Sequence, residues 1–233
     1  MKRRLLLALI STIVLFYNLK AQSKKPIIVK AGHTIKETLG PADVYEYPQF
    51  KEGFVYLKNG KTAHSVLNYN HFLDNLEYIN TQGDTMSLTN AKDVQLVTIG
   101  TDSFFYESGF VKLLSRYGHI NIAVKQTLPI ISKEKMTDGY GSYSAINNVE
   151  SYDSYSDGLK VYGLIQMQNL TLANRVRYYI EKDDNSFALI IKKNIFKLFP
   201  QQKDKVEAYI KENAINFNKG EDVIKLAQYL GGL

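Results

Sequence analysis

Between Gly53 and Gln126 the chain repeats one pattern, a short run of aliphatic and aromatic residues followed by a turn signal. The signals arrive about every 8–12 residues, too often for the sustained three-and-four spacing of a helix and suited to antiparallel strands. The stretch "FVYLKNGKTAHSVLNY" is the clearest instance. Asn59-Gly60 suits the two positive-φ positions of a type I′ turn, so Phe54–Lys58 is expected to pair with Lys61–Tyr69. Leu76–Asn80 and Thr85–Leu88 flank Gln82-Gly83, and Val94–Ile99 and Phe104–Glu107 flank Gly100–Asp102. Phe110–Ser115 and Ile120–Gln126 are parted by Tyr117-Gly118. The expectation is a β meander over residues 53–136, closed as a sandwich, a barrel or a curved sheet.

Later in the chain, Lys160–Gln168 and Arg175–Glu181 read as strands, and Phe187–Ile191 as a strand returning from the polar turn Asp183-Asp184-Asn185. The period then changes. In "KKNIFKLFPQQKDKVEAYIKENA", Val206, Tyr209 and Ile210 fall at helical spacing, with Pro200 expected in a first turn. Asn218 and Glu221 have the spacing of a capping box, ahead of the stripe Val223, Leu226, Ala227 and Leu230. Gly231-Gly232 ends that helix. Each helix has one apolar stripe to bury, so residues 192–233 are expected as two or three short helices packed with the β part in one domain. The fold class is α+β. Residues 24–52 are left as an N-terminal arm.

The N-terminus reads as an export signal. Lys2, Arg3 and Arg4 precede an uncharged, largely apolar run from Leu5 to Leu19, and Ala21-Gln22-Ser23 offers small residues for cleavage. Lys20 interrupts the run before it reaches spanning length. The chain is therefore expected to be a soluble periplasmic or secreted protein. With no cysteine it has neither a lipid-anchor Cys nor disulfides. Loss of residues 1–23 removes four of the 29 basic residues, which leaves 25 against 23 acids, a net charge of +2. Near neutrality gives no electrostatic case for nucleic acid.

Catalytic signatures are scarce. No G-x-S-x-G, H-E-x-x-H, P-loop or G-x-G-x-x-G is present, and no catalytic residue or cofactor is assigned. Ser132-Lys133-Glu134-Lys135 matches S-x-x-K without its S-D-N and K-T-G partners, and reads as a solvated loop. His33, His64, His71 and His119 read as surface or half-buried histidines rather than a zinc set. The lysines of the helical end alternate with acids, as on a solvated face.

The most unusual stretch is Thr137–Gly158, "TDGYGSYSAINNVESYDSYSDG", with four Tyr, five Ser, three Gly and four acids but no Lys or Arg. Tyr140, Tyr143, Tyr152 and Tyr155 suit a glycan or peptide surface, since flat rings stack while hydroxyls hydrogen-bond. The preferred reading is a surface loop whose rings cover a sheet. Asp153-Ser-Tyr-Ser-Asp157-Gly158 fails the EF-hand pattern at Tyr155 and Leu164, leaving a looser calcium site of Asp138, Glu150, Asp153 and Asp157.

The stretch from Tyr47 to Ile99, "GYGSYS" and the ending "LFPQQKDKVEAYIKENAINFNKGEDVIKLAQYL" resemble uncharacterised exported proteins of the Bacteroidetes type. That resemblance implies a Gram-negative envelope location and carries no activity. It also implies that Asp84-Thr85-Met86 is an O-glycosylation triplet. The expected function is binding or structural, toward an unknown envelope glycan, peptide or protein. The alternative is a hydrolase whose carboxylates are scattered through the sequence, since such pairs leave no local motif.

Overall fold

The turn residues between Gly53 and Gln126 close a run of hairpins. The computed structural model describes residues 25–134, the backbone of 145–146, residues 162–183 and residues 186–233. In chain order come β1 (Ile27–Val29), the one-turn helices α1 (Ile35–Thr38) and α2 (Pro41–Val44), then β2 (Lys51–Leu57) and β3 (Thr62–Asn70). Next are β4 (Asn75–Ile79), β5 (Thr85–Ser87), β6 (Val94–Ile99), β7 (Asp102–Tyr106), β8 (Phe110–Tyr117) and β9 (Ile120–Thr127). Then follow β10 (Ile130–Glu134), β11 (Ala145–Ile146), β12 (Asn169–Leu172), β13 (Arg175–Lys182) and β14 (Ala188–Leu189). The helices α3 (Lys192–Leu198), α4 (Lys203–Glu212) and α5 (Gly220–Gly231) close the chain.

The fold is α+β and mainly antiparallel. Ten strands form one open sheet in the order β14-β13-β9-β8-β7-β6-β2-β3-β4-β5. Two four-strand meanders, β2–β5 and β6–β9, join through the β2–β6 pair. Strand twist of about 20–25° per neighbour curls a sheet of this width. A four-stranded sheet, β1-β12-β10-β11, holds the rest.

The two sheets share one ribbon. Thr127 pairs with Arg175 and Ile130 with Leu172, the same register on either side of a short gap. β9–β10 and β12–β13 are therefore one antiparallel pair, interrupted at Leu128-Pro129 and Ala173-Asn174. Pro129 has no N–H for the ladder, and the Leu128 N–H donates to the His71 carbonyl at 2.9 Å instead.

Several expectations need correcting. The Asn59-Gly60 turn is not type I′: Gly60 alone has positive φ, at +82°. Gly60 N–H donates to Leu57 O, and Leu57 N–H to Lys61 O. That is a three-residue loop, a type I turn followed by a left-handed glycine. The meander does not extend to 136, because β10 enters the second sheet. Residues 162–168 contain no strand beyond the isolated bridge of Ile165 to Thr34. Residues 25–52 are built in, through β1, α1 and α2. Pro200 lies in the connection before α4 rather than in its first turn. At α5 the N-cap is Lys219 with no side-chain cap; Asp222 accepts instead from the Asn216 N–H at 3.0 Å.

Burial follows strand parity. One row across six strands reads Val55, Val97, Phe104, Lys112, Val124 and Tyr178. Along β9 and β13 this face continues into Ile120, Ile122 and Ile180, buried beneath α3–α5 by Ile195, Phe199, Val206, Val223 and Leu226. Full burial of each such side chain stabilises the fold by about 1.5–3 kcal/mol. Toward β4 the same face holds Leu67, Tyr69, Leu76, Ile99 and Phe110. A third core joins the small sheet to α1 and α2, through Val29, Ile35, Leu39, Val44, Leu128 and Leu172.

Candidate functional site

Lys112 is the one charged residue in that six-strand row, so it must be paired where it stands. Its Nζ contacts Glu46 Oε1 and lies 4.0 Å from Asp102 Oδ2. Glu46 and Tyr47 come from the connection between α2 and β2, which Asn68 holds by accepting from Tyr47 N–H at 3.1 Å and donating to Tyr47 O at 2.9 Å. Tyr47 O–H donates to Asp102 Oδ2 at 2.5 Å. Glu46 Oε2 lies 3.4 Å from Nε2 of the buried His71, whose Nδ1 is 3.0 Å from the Gln126 carbonyl.

A second set adjoins the first. Tyr69 O–H donates to Asp74 Oδ1 at 2.6 Å, and Lys125 Nζ donates to Asp74 Oδ2 and to the Ser108 carbonyl, each at 3.0 Å. Lys125 reaches Asp74 by passing Gly109, where an added Cβ would stand 2.2 Å from Nζ. Burial, then the Asp102 carboxylate, pushes the Tyr47 hydroxyl far above its ordinary pKa. Burial and the Asp74 carboxylate do the same to Tyr69. Both phenols therefore stay protonated as donors.

A cleft of about 60 Å³ lies among these groups, lined by Glu46, Tyr69, Phe104, Phe110, Lys112, Val124 and Gln126. That is far below the several hundred Å³ of a small-molecule pocket. Of the five carboxylate oxygens named here, three accept from donors within 3.0 Å, Glu46 Oε1 contacts Lys112, and Glu46 Oε2 lies 3.4 Å from His71 Nε2. Such pairing fastens the β3–β4 connection to β8 and β9.

The opposite face of the big sheet differs. His64, Phe54, Thr98 and Ser103 form one register row across β3, β2, β6 and β7. Phe54 is 43% exposed and His64 is open to solvent. Their ring centroids are 4.9 Å apart, and Tyr56 lies 6.3 Å from Phe54 on the same strand. His64 Nε2 contacts Glu52 Oε2 at 2.7 Å. This is a shallow surface of three rings edged by hydroxyls and the His64–Glu52 contact.

Asp138, Tyr140, Tyr143, Glu150, Tyr152, Asp153, Tyr155 and Asp157 lie outside the described residues. Among the described residues, no three His, Asp or Glu are grouped to hold a metal. His64 and His71 are not brought together, since one is exposed on β3 and the other buried beyond its end. Ser132 lies on strand β10 rather than in a loop, and Lys135 of the S-x-x-K match lies outside the described residues. Thr85 is exposed on the edge strand β5. No helix among the described residues is long and apolar enough to cross a membrane. The chain matches no known protein family, no curated protein and no solved structure.

Proposed function

We propose that the chain is an exported envelope protein that acts by binding rather than catalysis, and that its ligand is a glycan laid on the outer face of β2 and β3. The observation that carries this reading is the solvent-facing row of His64, Phe54, Thr98 and Ser103, with Tyr56 beside it. A sheet normally hides rings on its packed face and shows polar residues outside. Here Phe54 and Tyr56 present apolar ring faces that match the C–H face of a pyranose. Thr98, Ser103 and the His64–Glu52 pair offer donors and acceptors to its hydroxyls. The rival reading, a carboxylate hydrolase, has its best support in Glu46 and Asp102 beside the cleft. Their internal pairing and the cleft's size favour a fastening role for them.

The test is calorimetric titration of the purified protein with a panel of soluble envelope and plant oligosaccharides. Phe54→Ser should weaken binding about ten-fold or more, by loss of ring contact, at a nearly unchanged melting temperature. A variant that binds every responsive sugar as the parent does refutes the reading. Hydrolysis of a panel sugar, abolished by Glu46→Gln, would establish the rival.

A further inference from the structure

We infer that one end of the small sheet is a contact surface for an anionic lipid layer. Four large apolar side chains stand in solvent there: Ile28 (59% exposed), Leu164 (58%), Ile165 (64%) and Met167 (86%). The backbone gathers them. Ile165 bridges Thr34, Gly32 N–H donates to Gln166 O at 2.8 Å, and Gln166 N–H donates to His33 O at 2.9 Å. Ile28 pairs with Thr171, just along the chain from Met167. Singly exposed apolar residues need no explanation, whereas a group of this size marks a contact.

Charge selects the partner. Lys25, Lys30 and Lys36 are all exposed, on the same backbone that carries Ile28 and holds Ile165. Two acids lie nearby, and the three lysines outnumber them. Glu37 accepts from the Thr34 N–H at 3.0 Å, and Glu134 from Asn169 Nδ2 at 3.3 Å. Apolar tips bordered by lysines fit a headgroup layer, where the tips enter the acyl boundary and the ammonium groups meet phosphates. A second copy docked two-fold on this surface would instead bring like-charged lysines together.

The test is co-sedimentation with vesicles of equal phosphatidylglycerol and phosphatidylcholine, against vesicles of phosphatidylcholine alone. The preparation must lack residues 1–23, because an attached apolar leader binds lipid by itself. The parent should pellet with the anionic vesicles and dissociate as salt rises. Ile165→Ser with Met167→Ser should weaken this about ten-fold or more at an unchanged melting temperature. Lys30→Gln and Lys36→Gln should each weaken it about five-fold. Equal binding by parent and serine variant overturns the inference, as does equal binding to both vesicle types. Absence of binding also overturns it. The surface would then serve a second copy, seen as a dimer that the serine variant abolishes, or the chain's own residues 135–161.

Discussion

Gly109→Ala tests whether Lys125 fastens the β3–β4 connection to the sheet. Gly109 has φ +104°, so any side chain there is strained, by about 1–2 kcal/mol. The added Cβ would also stand 2.2 Å from Lys125 Nζ and 2.6 Å from Asp74 Oδ2. The ammonium sits at the end of a flexible side chain and can retreat, but only by leaving Asp74 and the Ser108 carbonyl. Lys125→Met, which removes those bonds directly, should cost about 1.5–3 kcal/mol, the range for hydrogen bonds to charged groups. That is below the cost of breaking a fully buried ion pair, because Asp74 is 35% exposed and can recruit water. Gly109→Ala should therefore cost about 2.5–5 kcal/mol. In the Lys125→Met background it should cost only its backbone strain. A urea-unfolding double-mutant cycle should thus show a coupling of about 1.5–3 kcal/mol. Additivity within about 0.5 kcal/mol would mean that Lys125 and Gly109 act independently, and would refute the fastening argument.

Tyr47 and Tyr69 stay protonated in the fold above the pH at which an unfolded tyrosine ionises, about 10. Above that pH the folded state binds more protons, so stability should fall as pH rises, by up to about 1.4 kcal/mol per pH unit for each phenol. Tyr69→Phe should remove one such slope in urea midpoints measured from pH 9 to 11; an unchanged slope contradicts the burial assigned to Tyr69. Gly60→Val should cost about 1–2 kcal/mol, from a left-handed φ in otherwise open space. A Gly60→Val chain as stable as the parent would place the left-handed residue elsewhere. Asp153→Asn with Asp157→Asn should leave the melting temperature unchanged in chelator and in calcium. A calcium-dependent rise in the parent that the double variant loses would make residues 137–158 a metal site.

Four hairpins, β2–β3, β4–β5, β6–β7 and β8–β9, were legible because each turn carries a local signal, a glycine where the backbone turns left-handed. The stripe Val223, Leu226, Ala227 and Leu230 was legible for the same reason, and all four side chains are buried. Other local signals were present but unread. Thr34-Ile35-Lys36-Glu37 is a capping box that starts α1, inside what reads as an arm. The break in the long ribbon depends on two gaps meeting across strands far apart in sequence, which no local pattern reveals. The polar cluster joins Glu46 to Lys112 and Tyr47 to Asp102, again over long separations. Its trace is parity: in "FVKLLSRY" Lys112 shares a face with the buried Phe110, and a lysine at a core position needs a carboxylate.

The outer ring surface depends on a register that the sequence leaves ambiguous. "GFVYL" is apolar on both faces, so either Val55 or the pair Phe54 and Tyr56 can face the core beside Leu67 and Tyr69. A two-residue turn at Asn59-Gly60 would pair Phe54 with Ser65 and bury the rings. The three-residue loop pairs Phe54 with His64 and Val55 with Ala63, which turns the rings outward. One residue of slip thus moves the whole candidate glycan surface from the solvent side to the core. The two registers predict opposite stabilities. In the observed one, Val55 is 5% exposed, and Val55→Ser should cost about 2–4 kcal/mol through lost burial and an enclosed hydroxyl. Phe54→Ser should cost about 1 kcal/mol or less, as expected for an exposed site. Urea unfolding of the two variants decides between them. A costly Phe54→Ser beside a tolerated Val55→Ser would put the rings in the core and remove the basis for binding on this face.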